Sequence, residues 1–125
     1  MEAFISTDTI FGLAGKDTIV ARGGADRVFG GPGADLIHGG TGNDLLNGQA
    51  GTDTIKGNAG ADELFGGGGN DKLNGGSGRD TFDAGAGNDT INSQDAVKET
   101  VRCGAGRDTV TADNTDILIG CETRQ

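Results

Sequence analysis

GGPGADLIHGGTGNDLLN (residues 30–47) is two nine-residue units in tandem, each reading Gly-Gly-x-Gly-x-Asp-x-apolar-x. Working outward from it, the same registers hold over ten units. Asp recurs without a slip at Asp8, Asp17, Asp26, Asp35, Asp44, Asp53, Asp62, Asp71, Asp80 and Asp89. Two residues after each stands an apolar side chain: Ile10, Ile19, Val28, Ile37, Leu46, Ile55, Leu64, Leu73, Phe82 and Ile91. Two residues before each stands Gly, except in the first unit, where Ser6 takes the place. A fixed short period of this kind marks a solenoid, because one unit cannot bury its apolar residue alone and must stack on its neighbours.

Beyond Asp89 the register loosens. Glu99 with Val101 reads as a unit carrying one extra residue, Asp108 with Val110 restores nine, and Asp116 with Leu118 follows at eight. The chain thus reads as about thirteen units of one domain, a regular array over 1–92 and irregular repeats with a cap over 93–125.

Composition agrees with a repeat rather than an ordinary globule. The 125 residues include 26 Gly, no Trp and no Tyr, and the formal charge is −9. Glycine loses the most backbone freedom on folding, so such a chain starts at an entropic disadvantage. The negative charge argues against nucleic acid or an anionic membrane as partner and suits cations. No stretch approaches the roughly 20 apolar residues of a membrane span. The opening MEAFISTDTIFG has neither a basic n-region nor an apolar h-region, so no signal peptide is read there. Met1 opens inside a unit, as expected of a piece of a longer protein.

The units resemble the G-G-x-G-x-D-x-U-x nonapeptide of the RTX, or haemolysin-type, calcium-binding repeat family. GGPGADLIH, GGTGNDLLN, GGGGNDKLN and GGSGRDTFD match it fully, whereas GQAGTDTIK, GNAGADELF and AGAGNDTIN each lack one Gly. The resemblance implies an all-β, right-handed parallel β-roll, in which six residues of each unit form a turn and three a short strand, alternately on two parallel sheets. Residues two units apart then stack directly, at about the 4.8 Å spacing of paired strands. Asp17, Asp35, Asp53, Asp71 and Asp89 make one row, Asp8, Asp26, Asp44, Asp62 and Asp80 the other. Carboxylates at that spacing repel by about 3.5 kcal/mol per pair at an effective dielectric near 20. A divalent cation between each pair reverses the sign.

Calcium suits the site because it takes six to eight oxygen ligands in forgiving geometry, whereas Mg²⁺ demands a small octahedral shell. With one His and two Cys, zinc or copper is a poor fit. In the family each ion lies between stacked turns, held by Asp carboxylates and turn carbonyls. The resemblance therefore assigns ligands to the ten Asp above, to Asp108, and to the backbone of Gly30, Gly33, Gly39, Gly42, Gly48, Gly51, Gly57, Gly60, Gly66, Gly69, Gly75 and Gly78. Pairing consecutive rungs of the two regular rows gives about eight ions. The thin core predicts a chain disordered without calcium and folded with it, since binding to a site absent from the unfolded chain is folding free energy.

Three features lie outside the repeat. Phe11, Phe29 and Phe65 share an outward register with Asn47, a face that fits docking of a partner or a second copy, and equally a face covered by a parent domain. Cys103 and Cys121 resemble the closing segment of secreted family members from Gram-positive actinobacteria, which implies a disulfide and an oxidising, extracellular location. Asp95, Glu99, Asp113 and Asp116 either ligate a last ion or form the polar cap that solenoid ends require. No enzyme is read here: His38 is alone, and Ser77 in GGSGRD is not a nucleophile elbow. The expected role is a calcium-dependent structural, adhesion or interaction module folding after export, the alternative being the tail of a secreted protease or lipase.

Overall fold

The computed structural model describes residues 7–121 and 123–124, so Met1 and Ser6 lie outside the described residues. Its strands follow the repeat. They are β1 (Thr9–Phe11), β2 (Thr18–Val20), β3 (Arg27–Phe29), β4 (Leu36–Thr41), β5 (Leu45–Asn47), β6 (Thr54–Ala59) and β7 (Glu63–Phe65). There follow β8 (Lys72–Asn74), β9 (Thr81–Asp83), β10 (Thr90–Asn92), β11 (Thr100–Arg102), β12 (Thr109–Thr111), β13 (Ile117–Ile119) and β14 (Thr123–Arg124). Each strand from β1 to β13 starts on the residue after an Asp or Glu of the repeat. Its middle residue points inward and its flanking residues outward, as the two-residue period of a strand requires. The Gly-rich turn then ends it.

Odd-numbered strands β1 to β13 form one seven-stranded sheet and even-numbered strands β2 to β14 the other. Every pairing is parallel, with Ile10 opposite Val28 and Ile19 opposite Ile37, so one coil takes two units. The fold is therefore all-β, two parallel sheets wound as a β-roll. The core is a double column of the middle residues, with Val28, Leu46, Leu64 and Phe82 on one sheet facing Ile37, Ile55, Leu73 and Ile91 on the other. These side chains are at most 2% exposed, and burying each contributes about 1.5–3 kcal/mol.

The structure departs from the regular reading in two places. Strands β4 and β6 run six residues rather than three, because pairing continues through the turns as Gly40 opposite Asn58 and Thr41 opposite Ala59. Strand β14, which no Asp announces, pairs with β12 and adds a fourteenth rung. The loosened units also remain in the stack. Thr81 pairs with Thr100, nineteen residues on, and Thr100 with Ile117, seventeen on. The extra residue of one turn is cancelled by the missing residue of the next, so the strands stay aligned.

Each regular turn needs positive φ at two places, which favours glycine. The second Gly of a unit has positive φ, as at Gly31 (88°) and Gly40 (92°). Where the sequence lacks it, the backbone keeps the same conformation: Arg22, Gln49 and Asn58 sit at 74°, 70° and 71°. A side chain there costs about 1 kcal/mol. Both columns are packed as well as twisted: a Cβ on Gly40 would run into the Arg22 carbonyl oxygen of the preceding coil, and the Gly two residues before Asp is crowded likewise. Gly51 has φ 114°, and a Cβ on it would run into the Gly33 carbonyl oxygen of the preceding coil. Gln49→Gly is thus expected to raise calcium-state stability by about 0.5–1 kcal/mol, and Gly51→Ala to lower it by roughly 2–4 kcal/mol, both by urea melts. Melts that reverse this order would contradict the stacked-turn geometry.

Candidate metal centres along the two edges

The Asp that ends each turn is buried although it is charged. Asp26, Asp35, Asp44, Asp53, Asp62, Asp71, Asp80, Asp89 and Asp108 are all at most 3% exposed, while Asp8 and Asp17, at the first coil, are half-buried. Each is placed by the same contact. The backbone N–H of one Asp donates to Oδ1 of the Asp one coil later, at 2.8–2.9 Å from Asp17 to Asp35, Asp35 to Asp53, Asp53 to Asp71 and Asp71 to Asp89. The Asp89 N–H donates in turn to Asp108. The other edge repeats this from Asp8 to Asp26, Asp44, Asp62 and Asp80.

The sequence leaves Glu99 and Asp116 open between a last ion site and a polar cap, and the structure brings both into the second ladder. Asp80 N–H donates to Glu99 Oε1 at 3.0 Å, and Glu99 N–H to Asp116 Oδ1 at 2.9 Å. The longer Glu side chain coincides with the seven-residue turn, where the backbone has one residue too many. The signal was in the spacing: nineteen followed by seventeen restores the eighteen-residue coil.

One carboxylate oxygen per residue is thereby satisfied and the other is not. Oδ2 of Asp17, Asp26, Asp35, Asp44, Asp53, Asp62, Asp71, Asp80, Asp89, Asp95 and Asp108, and Oε2 of Glu99, are buried without a hydrogen-bond partner. Buried polar atoms are nearly always paired, and an unpaired buried carboxylate oxygen costs more than a neutral one. The glycines show where these oxygens point. A Cβ on Gly30 would lie 2.6 Å from Asp35 Oδ2 and 3.0 Å from the Gly48 carbonyl oxygen. On Gly39 it would lie 2.7 Å from Asp44 Oδ2 and 2.9 Å from the Gly57 carbonyl. The same convergence of carboxylate and next-coil carbonyl recurs at Gly57 (with Asp62 and Gly75) and at Gly66 (with Asp71 and Ala84), while Gly48 and Gly75 face Oδ2 of Asp53 and Asp80. The glycines two before Asp form a separate column, with Gly33 over Gly15, Gly42 over Gly24, Gly51 over Gly33, Gly60 over Gly42, Gly69 over Gly51 and Gly78 over Gly60.

The polar atoms that converge there are carboxylate and carbonyl oxygens drawn from two coils at once, with core carbons such as Leu46 Cδ1 and Phe82 Cζ closing the inner side. That donor set fits a hard divalent cation that accepts irregular oxygen coordination, which is the preference of Ca²⁺. Without a cation the cost shows in the proton affinities. Burial, offset in part by the backbone N–H and reinforced by the negative neighbour, pushes Asp44, Asp53 and Asp89 up to about 6 and Asp62 and Asp71 to about 7. Asp35 is raised for the same reasons. Asp80 and Glu99, facing each other, are raised chiefly by burial and further by neighbouring negative charge.

Fold and edge chemistry define a class: a parallel β-roll whose turns bind calcium. The RTX calcium-binding nonapeptide repeat matches the chain in four overlapping copies, at residues 4–37, 29–64, 38–73 and 56–91. The chain belongs to that family. Neither a curated protein nor a solved structure matches it. No helix among the described residues is long and apolar enough to cross a membrane.

The raised carboxyls give a pH dependence of definite sign in the absence of metal. A group whose folded pKa exceeds its unfolded value near 3.8 stabilises the roll most below that value, and the contribution disappears as pH rises through the folded values of about 6 to 7. Metal-free protein is therefore expected to gain β-structure and melting temperature as pH falls from about 8 to about 5. A metal-free roll that weakens over that fall would contradict the buried, unpaired carboxyls.

Proposed function

We propose that the chain is an exported calcium switch: disordered where calcium is scarce, a folded rod outside the cell, used as a structural, adhesion or interaction module. The observation that carries this reading is the row of buried carboxylate oxygens without partners along both edges. Such a row disfavours the folded state until cations enter it, so calcium binding and folding are one event. Asp8, Asp17, Asp26, Asp35, Asp44, Asp53, Asp62, Asp71, Asp80, Asp89 and Asp108 supply carboxylates and the paired turn glycines carbonyls, to about eight ions between the regular rungs. Residues 1–92 form the regular roll and 93–125 its irregular end within one domain. Extracellular calcium modules typically bind at about 10⁻⁴–10⁻³ M, which sets the threshold between cytosol and exterior.

Two features support an extracellular location and a use for the rod. RTX repeat proteins are typically secreted bacterial proteins. Cys103 and Cys121 lie with their sulfurs against each other, and Cys103 is fully buried at the first-glycine position of its turn. We assign a disulfide there that staples the last coils in an oxidising compartment. On the outer face Phe11 is 55% exposed and its ring stacks on Phe29 at 5.2 Å, with Asn47 and then Phe65 continuing the register. This face is the docking surface for a protein partner or a second copy. Attachment to a catalytic domain elsewhere in a longer protein is the second reading.

The test is far-UV circular dichroism in EGTA, titrated with CaCl₂ and separately with MgCl₂. A coil spectrum that turns to β with calcium and not with magnesium is the expected result. A β spectrum already complete in EGTA at neutral pH would overturn the switch.

A further inference from the structure

The most irregular turn of the roll holds a group of side chains that the nonapeptide pattern does not supply. Between β10 and β11 the chain runs Ser93-Gln94-Asp95-Ala96-Val97-Lys98-Glu99, one residue longer than a repeat turn. It lies beyond residue 91, where the family match ends. Asp95 has no counterpart in the regular units, where this third turn position is Pro32, Thr41, Ala50, Ala59 or Gly68. A carboxylate oxygen of Asp95 and one each of Asp80 and Glu99 all lie within 4.8 Å of one another. Among the described residues no other three carboxylates, or carboxylates with His or Cys, converge so closely.

Proximity of acidic groups is not by itself a site; their surroundings make it one here. Asp80 and Glu99 are 1% and 2% exposed, and each keeps one buried oxygen without a hydrogen-bond partner, as Asp95 does at Oδ2. The remaining oxygens are occupied in ways that fix the side chains. Asp80 N–H donates to Glu99 Oε1 at 3.0 Å, and Val97 N–H to Asp95 Oδ1 at 2.9 Å. The turn itself is held by Asp113, whose Oδ2 accepts from the Asp95 and Ala96 N–H groups at 2.9 and 2.6 Å. Asp116 accepts at Oδ1 from Glu99 N–H and at Oδ2 from Asp113 N–H and Ser93 Oγ–H. Asp113 and Asp116 are thus committed to holding the turn, while Asp80, Asp95 and Glu99 are left with free anionic oxygens facing one another. Three carboxylates this close, two of them buried, hold together as anions only with a cation between them.

We propose that Asp80, Asp95 and Glu99 form an additional calcium site, separate from the ions between regular rungs and tighter than any of them. The inference rests on the calcium-binding reading above. A regular inter-turn site draws on the carboxylates of its own ladder. This one adds a third, from Asp95, and affinity for calcium is tuned by the number of charged ligands and the rigidity of the site. The all-oxygen set and irregular turn exclude soft metals and disfavour the octahedral demand of Mg²⁺.

Calcium titration calorimetry with an ion count after dialysis, on the wild-type chain, Asp95→Asn and Asp53→Asn, tests it. Asn at 95 keeps an acceptor for Val97 N–H and removes the charge. The expected result is that Asp95→Asn weakens the tightest binding step by at least about tenfold while keeping the β spectrum at saturating calcium. Asp53→Asn should leave that step unchanged and weaken the later ones. An Asp95→Asn protein with an unaltered tightest step and ion count would overturn the site. A wild-type chain that binds no calcium would instead overturn the calcium reading as a whole. Should Asp95→Asn fail to fold, carbodiimide labelling of the wild-type chain decides. At saturating calcium the half-buried Asp95 is expected to be protected as strongly as Asp80 while exposed Glu63 reacts, and a reactive Asp95 would contradict ligation.

Discussion

Electrostatic repulsion along two columns of stacked carboxylates is the constraint on which the rest of this protein turns. Each coil lays its Asp directly over the last, tied by a backbone N–H to the next side chain. The tie satisfies one oxygen and aims the other into a cradle made by glycine carbonyls. At strand spacing such a column repels itself by several kcal/mol per step unless a cation lies between the rungs. The architecture therefore carries its ligand requirement in its own geometry.

Other features follow from that arrangement. The core can be thin, one apolar residue per unit, because cohesion is shared between the inner column and the ions on the edges. Glycine is abundant because each coil must pass its turn within contact of the carbonyls of its neighbour, where a Cβ on Gly33 or Gly51 would collide with backbone. Ala21, Ala84 and Ala112 stand at the first-glycine position of their turns, and all three are buried there.

Much of this was legible in the sequence, because a stack of identical coils projects its contacts onto a fixed period. Asp53, Ile55 and Gly51 could each be assigned an edge, a core or a turn position from their spacing alone, and the strand order agrees with it. What escaped was where period and structure part company. Glu99 and Asp116 read as heads of units one residue long and one residue short, but that they continue the carboxylate ladder depends on hydrogen bonds the spacing does not record. Strand β14 pairs with β12 although it has no Asp-x-apolar signature. The lengthening of β4 and β6 depends on backbone pairing of Gly40 and Thr41 with Asn58 and Ala59, to which side-chain patterning is blind. Phe29 and Phe65 share the register of Phe11 and yet are half-buried, since neighbouring rungs shade them in a way a linear register does not record.

A crystal of the calcium-saturated protein, with the ions located by their anomalous scattering, tests the central claim most directly. The account predicts two files of peaks, one on each edge, spaced at about 4.8 Å and lying beside the Oδ2 atoms of the Asp17-to-Asp108 and Asp26-to-Asp80 ladders. Intact stacked coils at high calcium with no peaks along those edges would contradict it, and would leave the buried carboxylates to be neutralised by protons alone.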